Sequence, residues 1–172
     1  MAGHKFYKNA SGVITEEASL QSSAGSGDAG KIVALDSTGR ISNSMMPTGI
    51  GADTKAIVAS EGLAAGNFVN LWSDAGTLKV RKADASGGAA KQVDGFVLAS
   101  VTSGASATVY FEGTNTQLST LTRGSRYYLS GTTPGGATVT APSTAGYIIQ
   151  YLGKAISATE ISFEMSNILV LA

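Results

Sequence analysis

The side chains of this sequence that are capable of chemistry are few and widely spaced. It holds one histidine, His4, and no cysteine, which removes thiol nucleophiles, disulfides and thiolate metal sites together. Gly25-Ser26-Gly27-Asp28-Ala29-Gly30 matches the dinucleotide pattern G-x-G-x-x-G literally. That chemistry needs a strand before the glycines and a helix after them, whose first amides hold the phosphates. Here the preceding residues are polar, 32–35 read as a short strand, and Ile32 stands where the P-loop pattern places its magnesium-binding hydroxyl. Asp36-Ser37-Thr38-Gly39 and Asp84-Ala85-Ser86-Gly87 combine an acid with a hydroxyl, but such residues favour turns because they bond the local backbone. Glu160 and Glu164 fall on the outward face of one strand, roughly 13 Å apart by strand rise, too far for a glycosidase pair. No nucleophile, base and orienting group share a recognisable spacing. The expectation is therefore no enzyme, no catalytic residue, no metal and no cofactor. Trp72, Tyr110, Tyr127, Tyr128, Tyr147 and Tyr151 are the remaining candidates. They would stack on a sugar or nucleobase if gathered on one face; aromatics in short strands more often fill a core or a subunit interface.

The elements that would position these residues are strands. Among 172 residues, 43% are apolar, 22 are glycine and three are proline, a balance suited to a real core and many tight turns. Runs at 96–101 and 107–112 flank Thr102-Ser103-Gly104-Ala105, which predicts a hairpin with Val109 and Phe111 on one face and Thr108, Tyr110 and Glu112 on the other. Before it, 56–59, 67–72 and 77–83 read as strands of a meander, with Leu78 and Val80 inward and a turn at Asp74-Ala75-Gly76. After it, 126–130, 137–140, 147–152, 160–165 and 168–171 continue the pattern, and 118–121 has room for one helical turn. The run 147–152 is apolar enough to predict burial on both faces, and Ile161, Phe163 and Met165 are expected inward. No apolar spacing of three and four persists for a normal helix. The fold class predicted is all-β, a small antiparallel barrel or sandwich over 55–172.

Residues 1–54 have a different character and predict an extended N-terminal arm ending in a short strand-turn-strand. Residues 1–28 are polar and short of large aliphatics, so they are expected to be ordered only against a partner. Residues 31–36 read as a strand, 37–39 as a turn and 40–42 as a returning extended piece. Met45 and Met46 then precede Pro47, and such a flexible apolar pair would be a sticky patch if exposed. Burial against a neighbouring chain is the expected arrangement, with Ile32, Leu35, Met45 and Met46 as anchors and Lys31 and Pro47 bounding the segment. Twelve basic residues balance twelve acidic ones, so no long-range field favours nucleic acid or an anionic membrane. No run approaches the ~20 apolar residues that span a bilayer, and the first residues are not a signal peptide, so synthesis in a cytoplasm is expected.

Two segments carry a family resemblance. Gly30-Lys31-Ile32-Val33-Ala34-Leu35-Asp36-Ser37-Thr38-Gly39-Arg40-Ile41-Ser42-Asn43-Ser44-Met45-Met46-Pro47 resembles a segment recurrent in tailed-bacteriophage structural proteins, where it often precedes a trimeric β domain. From Ser60-Glu61-Gly62-Leu63-Ala64-Ala65-Gly66 through Asp94-Gly95-Phe96-Val97, Val109-Tyr110-Phe111-Glu112-Gly113, Tyr127-Tyr128-Leu129-Ser130 and Gly153-Lys154-Ala155, the chain resembles the small β-barrel of phage capsid-decoration (cement) and head-fibre proteins. The resemblance implies a non-enzymatic virion component on the phage head surface, made in the host cytoplasm. It also implies a homotrimer whose partner is the major capsid protein. Two alternatives stand beside it: a tail-fibre or baseplate module, and a carbohydrate-binding β module recognising a host-surface glycan.

Overall fold

The computed structural model describes residues 5–46 and 53–172; His4 and Pro47 lie outside them. The chain divides into two compact units, Met1–Gly51 and Ala52–Ala172.

The N-terminal unit opens with a hairpin where the sequence predicts an extended arm ordered only against a partner. Strand β1, Lys5–Ala10, pairs antiparallel with β2, Val13–Ala18, in unbroken register from Lys5↔Ala18 to Ala10↔Val13. Ser11 and Gly12 both have positive φ, 53° and 88°, as a two-residue type I′ turn requires, and the glycine bears that conformation without a Cβ clash. The Gly12 amide donates to the Asn9 side chain at 2.7 Å. Interleaved charges hide the strand pattern in the sequence, yet they pair across the ladder as Lys5–Glu16 and Lys8–Glu17. Beyond the hairpin, the strand predicted at 31–36 is reduced to one parallel bridge, Leu20↔Val33. The predicted turn forms, with Gly39 N–H donating to Asp36 and Asp36 N–H to Arg40.

The C-terminal unit is all-β. Its strands are β3 (Thr54–Ala59), β4 (Phe68–Asp74), β5 (Thr77–Lys82), β6 (Gly95–Val97), β7 (Ser106–Tyr110), β8 (Gly113–Asn115), β9 (Arg126–Leu129), β10 (Ala137–Thr138), β11 (Ile148–Ile149), β12 (Tyr151–Ala155), β13 (Ile161–Phe163) and β14 (Leu169–Val170). A closed barrel runs β3-β5-β4-β6-β7. All its pairings are antiparallel except β3 with β5, which is parallel through Val58↔Lys79 and Ala59↔Val80. A five-stranded antiparallel sheet, β10-β9-β12-β13-β8, and a two-stranded β11-β14 sheet complete the unit.

Two apolar clusters result. Ile57, Ala59, Leu63, Val69, Val80, Val97, Ala107 and Val109 form the first; all but Leu63, which lies between β3 and β4, are inward positions of the barrel strands. Phe68, Phe96, Tyr127, Leu129, Ile148, Leu152, Ile161 and Phe163 anchor the second, against which Tyr110 also packs. The Phe96 ring stacks on Tyr110 at 5.5 Å and meets Phe163 edge-on at the same distance. Adjacent residues such as Phe68 and Val69, or Phe96 and Val97, serve opposite clusters, so β4 and β6 are a wall with a core on each side. The Val109/Tyr110 alternation read from the sequence is real, but on its outward side Tyr110 packs against the second core while Thr108 and Glu112 stay exposed.

Several local expectations are corrected. The central hairpin keeps only β6 in its first arm; the chain then leaves the ladder, and Val101 bridges to Leu63. Residues 147–152 alternate in burial and divide at Gln150 between β11 and β12, because the buried Gln150 side chain takes a bonding role that no apolar residue could fill. Its Nε2 donates to Val93 O at 3.0 Å, and its Oε1 accepts from Val93 N at 2.6 Å. Met165, expected inward, is 58% exposed because β13 ends at Phe163. Leu78 is likewise largely exposed near the β4–β5 turn, whereas Val80 is buried. No helix forms at 118–121; Leu118 and Leu121 donate their backbone amides to Thr159 and Ala158 instead.

Gly153 marks a register irregularity in β12. Its φ is +134°, and a Cβ there would lie 1.9 Å from the Ser162 carbonyl oxygen. Two substitutions test these restraints by chemical denaturation of the full chain. Gly153→Ala is expected to cost at least about 3 kcal/mol through backbone strain and displacement of β13. Gln150→Leu leaves the buried Val93 amide and carbonyl unpaired and is expected to cost about 2–5 kcal/mol; a loss below 1 kcal/mol would show that water replaces the clamp.

Candidate interface

Most of the residues singled out as an interface stand in a framework of local polar bonds with little apolar cover. Asp28 closes the Gly25 to Gly30 loop: its carboxylate accepts from the Ala24 amide at 2.7 Å and pairs with Lys31 Nζ at 3.1 Å. The loop contains one 3₁₀ turn, Ser26–Asp28, and no helix follows it, so the phosphate-binding context required of its glycine pattern is missing. Gln21 Nε2 donates to Leu35 O at 2.8 Å. Leu20 N–H bonds Ile32 O, and Ala34 N–H bonds Leu20 O. The Ser23 amide reaches Ser44 Oγ at 2.8 Å, beside the 3₁₀ turn Asn43–Met45.

These bonds leave the large side chains outward. Ile32, Leu35 and Met46 are 51%, 54% and 39% exposed, and Tyr7, Val13, Ile14, Val33 and Ile41 are exposed as well. Leu20, Ile32, Val33 and Met45 line a shallow cleft of about 180 Å³ with Asp28 and Lys31. Four of the sequence-predicted anchors thus divide: Ile32 and Met45 meet in one cleft with Lys31, whereas Leu35 and Met46 do not line it. Among the described residues 5–42 and 44–46, none is buried. A half-exposed aliphatic side chain retains about 1 kcal/mol of transfer free energy that only a covering surface would realise.

The other candidate residues are dispersed. Trp72 donates Nε1 to Ser60 Oγ at 3.1 Å, with the Arg81 guanidinium 4.7 Å from its ring centre. Tyr127 is buried, and its hydroxyl accepts from the Thr122 amide. Only Tyr128 and Tyr151 meet as a pair, edge to face at 6.0 Å, with Arg126 6.0 Å from the Tyr151 ring. Among the described residues no group of three His, Asp or Glu side chains is placed to hold a metal ion. The Asp84 turn is local, as its sequence predicts: Asp84 Oδ1 accepts from both Ser86 N and Ser86 Oγ. No family model, curated protein or solved structure matches this chain.

Two carboxylates give the N-terminal unit an acid-sensitive framework. The Ala24 amide first, and then Lys31, hold Asp28 below the usual aspartate range. The Thr38 hydroxyl, then the Arg40 and Thr38 amides, do the same for Asp36, whose Oδ1 accepts all three within 2.7–3.0 Å. A carboxyl depressed in the folded state stabilises it above the unfolded pKa, about 4, and loses that contribution as pH falls through the lower folded value. Amide exchange measured at pH 5 and at pH 2.5 is expected to show Arg40 and Ala24 losing protection in acid while the β4 and β6 amides keep theirs. Equal loss in both units would assign the acid sensitivity elsewhere.

Proposed function

We propose that this chain is a non-enzymatic structural protein of a bacteriophage virion, a capsid-decoration protein that assembles as a homotrimer and braces the shell formed by the major capsid protein. The observation that carries this reading is the contrast between the two units. The C-terminal unit closes two apolar cores, while the N-terminal unit orders its backbone by hydrogen bonds and buries none of its described side chains. A segment built this way gains its apolar stabilisation from a neighbouring chain. Balanced charge suits a partner recognised by shape and apolar cover, and repetition of a modest contact over a lattice multiplies its strength by avidity. The phage resemblance of residues 30–47 covers described residues of this unit, up to Met46, that bury no side chain, which supports its use in assembly.

Light scattering behind size exclusion tests the reading. The full chain is expected at three times its 17.3 kDa mass, and the double variant Leu35→Asp, Met45→Asp is expected to run as a monomer with an unchanged thermal transition of the β unit. Shells assembled from the major capsid protein should retain the wild-type chain through sedimentation and lose at least nine-tenths of the double variant. A wild-type monomer that does not sediment with shells would overturn the proposal.

A further inference from the structure

A cleft of about 230 Å³ opens in the C-terminal unit where β9 and β10 meet residues 140–147. Its lining includes the side chains of Ser130, Thr132, Thr138, Thr140, Ser143 and Thr144 and contains no acidic, basic or histidine residue. Such a lining offers alternating hydroxyl donors and acceptors and nothing to neutralise an ionic ligand. Tyr147 adds a flat apolar surface to it. That ring is fixed in place: it lies so close to Gly131 that a Cβ there would sit 2.6 Å from it, and the Tyr147 backbone is bonded to Thr144 and Leu171.

The hydroxyls divide into two sets. Ser130 Oγ accepts from the Thr132 and Thr133 amides and shares a hydrogen bond with the Thr132 hydroxyl, and Thr138 Oγ1 accepts from the Thr140 amide, so these three build the wall. The hydroxyls of Thr140, Ser143 and Thr144 have no intramolecular partner among the described residues and are free to bond a ligand. The cleft is smaller than the range for drug-sized ligands, which suits one ring of a polyol. Thr138 also stands opposite Tyr128 in the β9–β10 ladder, and Tyr128 opposite Tyr151 in β9–β12. Residues opposite one another share a face of a sheet, so a Thr138–Tyr128–Tyr151 row continues from the cleft across the sheet's outer surface. A polar socket for one ring, prolonged by a pair of aromatic side chains, is the arrangement that fits a chain of sugar rings with a polar edge and an apolar face.

We propose that this cleft binds a neutral oligosaccharide, with one ring seated against Tyr147 and bonded by Thr140, Ser143 and Thr144, and the next rings running over Tyr128 and Tyr151. This site is independent of the virion reading: it lies wholly within the C-terminal unit and requires no oligomer.

Isotope-labelled full chain titrated separately with maltohexaose, cellohexaose and chitohexaose, and with oligogalacturonate as the charged comparison, tests the proposal. At least one neutral hexasaccharide is expected to shift the amides of residues 138–147 saturably at millimolar concentration. Tyr147→Ala should weaken that binding at least tenfold. Thr140→Val, at an exposed side chain without an intramolecular partner, should weaken it at least threefold and keeps the test decisive if the tyrosine variant misfolds. Tyr128→Ala should weaken the hexasaccharide more than the matching disaccharide. No saturable shift with any of the three neutral sugars, shifts confined to other parts of the chain, or a preference for oligogalacturonate would overturn it.

Discussion

The C-terminal unit depends on β6 and the first residues of β4, Phe68 to Asn70, being buried on both faces. A barrel wall ordinarily has one dry side and one wet side, and its strands alternate accordingly. Here Phe68, Val69, Phe96 and Val97 are all fully buried, because the outer side of the wall is roofed by the second sheet. Polar side chains extend the wall where backbone pairing ends. Asp94 accepts from the Leu71 amide and from Asn70 Nδ2, and Arg81 Nε donates to Asn70. Asn115 Nδ2 bonds Gly66 O, and Gln150 clasps Val93. These last two bonds join the barrel side of the chain to segments some fifty residues away, so loss of the roof would expose aromatic rings and strand buried polar groups together.

The sequence made the strands legible where alternation was clean and turns were marked by glycine. β4 and β5 follow from the Asp74-Ala75-Gly76 turn, and β7 from the alternation about Val109. What it hid was which side of each strand is wet, since alternation cannot distinguish solvent from a second core. The parallel β3–β5 contact was equally hidden, because it joins strands whose order in the sheet no local signal sets. Residues 147–152 were read as one apolar run, and only the position of Val93 explains the buried Gln150 within it. In the N-terminal unit, Ser11-Gly12 was a usable turn signal, but paired lysines and glutamates masked the strands on either side. The tyrosines illustrate the same limit at the level of a site: six aromatics were visible as candidates, yet pairing of Tyr128 with Tyr151 is set by the β9–β12 register, and the socket beside them is made of serine and threonine, residues too common to be noticed in a sequence.

The two units solve the stability problem differently. The C-terminal one removes aliphatic and aromatic surface from water, which is the dominant favourable term in folding. The N-terminal one satisfies its polar groups locally, through Asp28, Asp36, Gln21 and Ser44, and keeps its aliphatics outside. Hydrogen bonds exchanged with water contribute little net stability, and a two-stranded hairpin is marginal by itself. The shape of that unit is thus specified by directional bonds, while most of its large apolar side chains stay in contact with water.

The parallel closure of the barrel has a mechanical meaning. β3 is the first strand after the N-terminal unit, and it is held on one edge by β7 through the register Thr54↔Tyr110 to Val58↔Ser106, and on the other by β5 at Val58 and Ala59. Its inter-strand bonds run across the chain direction, so a pull along β3 would load these rungs together, in shear, instead of peeling them one after another. A strand gripped on both edges at its far end resists such a load better than a strand at a free sheet edge. β3 is thus held by one neighbour where it begins, at Thr54, and by both at Val58, so its last rungs are the ones such a pull must break to free it.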